Sequence, residues 1–179
     1  MKKISLLSLL VLLSSCSVLG YKNSQNTIYI ENTATIKYSG KGAGASFALM
    51  GAMGPMGAAI GVAIDEGISK DIRKNIEASG FDLVAHLCEQ YREKEVYCVS
   101  DSDGARQTLV IQSIDLTSKG SDDLMQLKVE AVSISSKLVE TPLEYMSGET
   151  TITLEQAKSD KNSVRRLFEG INLTKEGTM

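Results

Sequence analysis

Isoleucines stand at positions 60, 64, 68, 72 and 76, four apart, with Glu66, Lys70, Asp71, Arg73, Lys74 and Glu77 between them. That spacing puts the isoleucines on one slowly drifting stripe and the charges on a wet face. It predicts a long amphipathic helix ending at Gly80, a residue suited to a left-handed cap. Residues 27–38 (TIYIENTATIKY) instead collect β-branched side chains and tyrosine in partial alternation, and predict one or two strands. Beyond Gly80 the period falls to two. Residues 81–88, 96–99, 106–116, 124–135 and 149–154 read as strands, divided by turn clusters such as Asp101-Ser102-Asp103-Gly104 and Ser118-Lys119-Gly120-Ser121. A last helix is expected from Ser159 or Asp160, with Val164, Leu167, Phe168 and Ile171 at helical spacing. The predicted class is therefore α+β: a two-layer sandwich of a mostly antiparallel sheet, with a long N-terminal helix and a C-terminal one, rather than a parallel α/β fold.

Ahead of the isoleucine stripe lies a run without charge, residues 42–64, containing GAMGPMGAAIG. A phosphate cradle fits it poorly. Phe47 stands where a dinucleotide fingerprint needs its third glycine, and Lys41 precedes the glycines instead of closing a P-loop. As one helix the run would be about 34 Å long, enough to cross a bilayer. Its alanine and glycine content makes insertion weak, and Pro55 would kink a single helix or open a second. The remaining reading is close helix packing. Gly57 and Gly61 form a GxxxG element, and Gly51, Gly54 and Gly57 recur at a spacing of three, so another backbone could approach within the domain, between copies, or from a membrane-embedded partner.

The first sixteen residues, MKKISLLSLLVLLSSC, order a basic start, an apolar core and a small-residue tail ending in cysteine, as a secretory signal peptide does. Leu13-Ser14-Ser15-Cys16 resembles the lipobox of bacterial lipoproteins. That resemblance implies cleavage after residue 15 and lipid on Cys16. Ser17, in place of a retaining aspartate, implies sorting to the outer membrane, facing the periplasm. Residues 16–25 would form a tether, and residues 26–179 a single domain that includes the segment 42–64. A lipidated tether before a helix packed on a small sheet also looks like the auxiliary lipoproteins of envelope transport systems, in address and architecture only.

Loss of Lys2 and Lys3 with the leader would move the formal charge from −3 to about −5, which argues against nucleic acid as a partner. With Cys16 lipidated, Cys88 and Cys98 remain as a candidate disulfide pair in an oxidising compartment. The single histidine, His86, lies two residues from Cys88 with nothing marking it as a base, so a catalytic thiol is not expected. Asp101-Ser102-Asp103-Gly104 lacks the later ligands of a calcium loop, Asp122-Asp123 reads as solvated charge, and Arg165-Arg166 as a wet helix face. No metal cluster, cofactor motif or catalytic constellation emerges. The expectation is a non-enzymatic accessory or assembly component of an envelope transport or secretion complex, bound to the membrane by lipid and to a protein partner or another copy by contact. A membrane-active protein whose segment 42–64 enters the bilayer is the rival, and a small-ligand carrier or hydrolase a second one.

Overall fold

A computed structural model describes residues 26–119, 123–148 and 152–176. The leader, Cys16 and the tether lie outside them.

The chain opens with two short strands, β1 (Thr27–Asn32) and β2 (Ile36–Ser39), both parallel to the long strand β4 (Gln107–Lys119) and on the same side of it. They act as one edge interrupted at residues 33–35. Between β2 and β4 come helix α1 (Lys41–Met53), helix α2 (Pro55–Ser79), helix α3 (Leu83–Glu93) and the two-residue strand β3 (Tyr97–Cys98), which pairs with the outer side of β1. From β4 the sheet continues antiparallel through β5 (Leu124–Ser135), β6 (Glu140–Ser147) and β7 (Ile171–Glu176). Helices α4 (Leu154–Ser159) and α5 (Lys161–Glu169) fill the connection from β6 to β7. The fold is α+β, with a curled mixed sheet whose longest pairings are antiparallel.

One face of the sheet carries the core. Along β5, Met125, Leu127, Val129, Ala131 and Ser133 alternate inward. Along β4, Leu109 and Ile111 are buried and then Ile114 and Leu116, a change of phase made by a bulge between Ile111 and Ser113. The one extra residue, Gln112, keeps the apolar set on the core side where strict alternation would have turned half of it to water. Against this face pack Ile72 and Ile76 of α2, Leu83 and Leu87 of α3, Ala157 of α4, and Val164, Leu167 and Phe168 of α5.

Helix α2 also closes the open edge of β2. The hydroxyl of buried Ser69 accepts from the Tyr38 amide (2.8 Å), and Arg73 donates to the Ile36 carbonyl (2.9 Å), so one amide and one carbonyl of that edge are paired with α2.

Three expectations need correction. Residues 81–88 are not a strand: Leu83 and Leu87 fall four apart, and the Asp82 side chain accepts from the Ala85 amide, which caps a helix. Residues 152–154, the described part of the expected strand 149–154, do not form one either. Positions 149–151 lie outside the described residues, Thr153 makes only an isolated bridge to Leu124, and Leu154 opens α4 behind a Thr153–Gln156 capping box. Ile171 does not extend the last helix. Gly170 ends α5, capped at its start by Asp160, and Ile171 begins β7 beside Ser147. Strand β6 went unread because Pro142 interrupts its pattern, although Leu143, Tyr145 and Ser147 alternate inward.

Candidate functional site

The charge-free run folds into a helical hairpin, α1 against the first part of α2, broken at Gly54 and not continued as one helix. Gly54 takes a left-handed φ of 60°, its amide donates to the Met50 carbonyl (3.0 Å), and Pro55 starts α2 where its missing N–H costs nothing.

No side chain near the start of α1 caps it, and its first turn holds no acid. The anion comes from the other arm. The Asp65 carboxylate accepts from the Gly42 amide (2.7 Å) and, more loosely, from the Gly40 amide (3.4 Å), supplying the acceptor and the negative charge that an uncapped helix N-terminus favours. This cap also explains Gly42. A Cβ there would lie 2.7 Å from Asp65 Cγ and nearer still to the Gly61 carbonyl oxygen.

The seam has two further glycines. A Cβ on Gly61 would fall 2.9 Å from Ser46 Cβ and closer to the Ser46 hydroxyl and the Gly42 carbonyl. One on Gly57 would lie 2.6 Å from the Leu49 carbonyl oxygen and the Met50 nitrogen. Of the glycines expected to pack, Gly57 and Gly61 therefore line an internal seam. A Cβ on Gly51 or Gly54 would meet nothing within 4 Å, and Gly54 is the turn. Gly42 and Ser46 complete the seam from α1, and their spacing, equal to that of Gly57 and Gly61, was the signal available in the sequence.

The outward surface of the hairpin is apolar. Met50, Met53, Met56, Val62 and Ile64 are exposed, Met56 by 65% and Val62 by 70%. Charge begins only at the base. There Lys41 meets Asp123 at 2.5 Å and Glu66 meets Arg73 at 2.5 Å, and the hydrogen bond that the Lys41 ammonium donates to Asp123 holds it above its ordinary pKa. Among the described residues no helix is long and apolar enough to cross a membrane.

No family model, curated protein or solved structure matches the chain. Its chemistry has to be read from its own side chains.

Cys88 and Cys98 are joined in a disulfide, tying α3 to β3 (Cα–Cα 5.7 Å). His86 sits beside the Phe81 ring, centroids 5.5 Å apart, with its Nε2 3.1 Å from Gln90 Nε2. Gln90 in turn donates to the Ile171 carbonyl, so His86 belongs to a packing group. Asp101 accepts from the Gly104 amide in a tight turn, Arg165 pairs with Glu169, and Arg166 donates to Ser163. Asp122 lies outside the described residues. No group of three His, Cys, Asp or Glu residues able to hold a metal occurs among the described residues. A cavity of about 410 Å³ opens between Ile36, Ile76, Phe81 and Phe168. The polar side chains on its rim, Asn32 and Asp82, are spent on the amides of Ala34 and Ala85.

Proposed function

We propose that this chain is a lipid-anchored protein of the outer membrane, facing the periplasm, that works without catalysis as an accessory or assembly component of an envelope transport or secretion complex. The α1–α2 hairpin is its contact surface. The observation that carries this reading is the division of labour within the uncharged run. Gly42, Gly57 and Gly61 are consumed by the internal seam, while the methionines and Val62 are held outward on a braced pair of helices, where apolar exposure marks a surface meant to be covered. The LSSC tail of the leader supports the anchor.

Photo-crosslinking tests it. A photoreactive residue at Met56 or Val62, in cells making the full chain, is expected to yield a discrete protein adduct, and the same residue at Lys70 is not. Adding Met53→Asp to the Met56 reporter is expected to abolish the adduct without disturbing the disulfide-linked core. Absence of any adduct specific to positions 56 and 62 would sink the reading.

The exposed methionines around Gly54 also favour a second reading, that the hairpin enters a bilayer and remodels it. Release of dye from phospholipid vesicles by the purified chain, lost with Met53→Asp and Met56→Asp together, would support that reading over the first.

A further inference from the structure

The sheet has two ends, and the hairpin occupies only one. At the other end the chain enters the fold at Asn26, whose carbonyl accepts from Tyr97. Beside it Thr27 accepts from the Arg106 amide, and one strand further on Arg106 accepts from the Ser136 amide. The turn from β5 to β6, residues 136–139, therefore stands two to three strand spacings from the point where the chain enters, or roughly 10–14 Å.

That turn is unusual in two respects. Leu138 holds a left-handed backbone, φ 58°, which glycine or asparagine adopts far more readily. It also stands 84% exposed, beside Val139 at 56%. An apolar residue is thus kept both strained and in water. Three of the turn's four amides are bonded within the chain: Leu138 donates to the Ser135 carbonyl (2.8 Å), Ser136 to the Arg106 carbonyl (2.9 Å) and Val139 to the Ser135 hydroxyl (3.3 Å). Both apolar residues of the tip, Leu138 and Val139, thus carry bonded amides into an interface, which lowers the desolvation cost of entering it.

We infer that the Leu138–Val139 tip is a membrane-contacting element, seated in the bilayer that carries the lipid on Cys16. The inference rests on the lipid-anchor reading and deepens it by assigning the membrane-facing end. Reach favours this end over the hairpin. Ten residues separate Cys16 from Asn26, so the tether spans at most about 35 Å. From Thr27 to the hairpin turn is about 33 Å of sheet and a further 15 Å of helix, more than a tether of that length reaches even at full stretch. Charges beside the turn are mixed, with Arg106 and Lys137 set against exposed Glu140, next in the chain to Val139. Attraction therefore comes from the apolar tip, with Lys137 placed to reach the phosphates.

The chain has no tryptophan, so a single one is a clean reporter. Leu138→Trp, with Val139→Trp as the alternative should the left-handed position resist the ring, is made in the full lipidated chain. The protein is reconstituted into phosphatidylethanolamine–phosphatidylglycerol vesicles with or without brominated acyl chains, and Met56→Trp serves as the comparison. The expected result is emission shifted to shorter wavelength and quenched by brominated lipid at 138 or 139, and neither effect at 56. Unquenched emission at both 138 and 139 in protein whose intact mass shows the lipid would overturn the inference, and so would quenching at 56 alone. A mass without lipid would instead overturn the anchor reading on which it rests.

Discussion

Gly61 offers the sharpest test of the hairpin. It lies in the middle of α2, where an alanine would ordinarily gain about 1 kcal/mol in helix propensity. Here the added Cβ would press on the Ser46 side chain and on the Gly42 carbonyl oxygen. The hydroxyl can rotate away, but the carbonyl belongs to the backbone of α1, so the two helices must separate. Overpacking costs roughly 1–3 kcal/mol, and a clash with a backbone atom belongs at the upper end, about 2–3 kcal/mol, which turns the propensity gain into a net loss of about 1–2 kcal/mol. Gly67, six residues further along the same helix, is the internal control. A Cβ there meets nothing within 4 Å, so Gly67→Ala should stabilise by up to about 1 kcal/mol. The two variants should thus differ by roughly 2–3 kcal/mol with opposite signs, which for a chain of this size separates their Tm values by about 5–10 °C. Since α1 packs on α2 and little else, part of the loss can appear as local opening, so amide hydrogen exchange across α1 should accompany the thermal scans. If Gly61→Ala stabilises as Gly67→Ala does and leaves exchange in α1 unchanged, the backbone contact argued here does not exist.

Asp65→Ala should cost about 1–2 kcal/mol by stripping the acceptor from the start of α1, with faster exchange at the Gly42 amide. Asp65→Asn should cost less, because a neutral oxygen remains. Reducing the Cys88–Cys98 bridge, or replacing both cysteines with alanine, should lower stability by roughly 2–3 kcal/mol in denaturant titrations, the entropic worth of a loop of this length. Asp160 tests the pH dependence. Hydrogen bonds from the Ser163 hydroxyl and the Asn162 amide hold its carboxyl below the ordinary 3.8, so its ionised form stabilises the fold above that value and the contribution is lost as pH falls through the lower folded value. The thermal midpoint of the native chain should exceed that of Asp160→Asn at neutral pH and converge with it in acid; a gap unchanged by pH would refute the assignment.

Much of the fold was legible because its signals are local. The isoleucine stripe and the Gly80 cap encode α2, and the alternation along residues 124–135 encodes β5; the stripe marks the core side only from Ile68 to Ile76, since Ile64 is exposed on the hairpin. The failures share a different origin. Residues 81–88 carry apolar side chains at both two- and four-residue spacings, and the Asp82 cap decides between the two readings. Parallel pairing of β1 and β2 with β4 joins segments about eighty residues apart and leaves no short-range pattern. At the hairpin, the broken small-residue helix could be anticipated from Pro55, but the identity of the packed face could not. Gly51 and Gly57 look alike in sequence, and only the register set by the Gly54 turn puts Gly57 inside and Gly51 outside. Asp65 was hidden for the same reason, since it reads as one more polar position beside the isoleucine stripe until α1 folds back and its unpaired amides meet the carboxylate.

The two ends of the sheet then make a single functional argument. If lipid holds Cys16, as proposed, the anchored end of the fold is at Thr27, near the Leu138 turn. Its hairpin emerges past Ser39 at the other end of the same strand pairings, since Ile28 lies opposite Gln107 and Ser39 opposite Thr117. Helix α2 runs back along β2 through Arg73, Ser69 and Asp65, so its outer turns continue beyond the sheet instead of folding over it. The internal seam then has a purpose that a flexible glycine linker would not serve. Gly42, Gly57 and Gly61 let two thin helices brace each other, and the Asp65 cap fixes their base. An apolar surface is thereby carried away from the end where the chain enters the fold, on a rigid support that lowers the ordering cost of any contact made there.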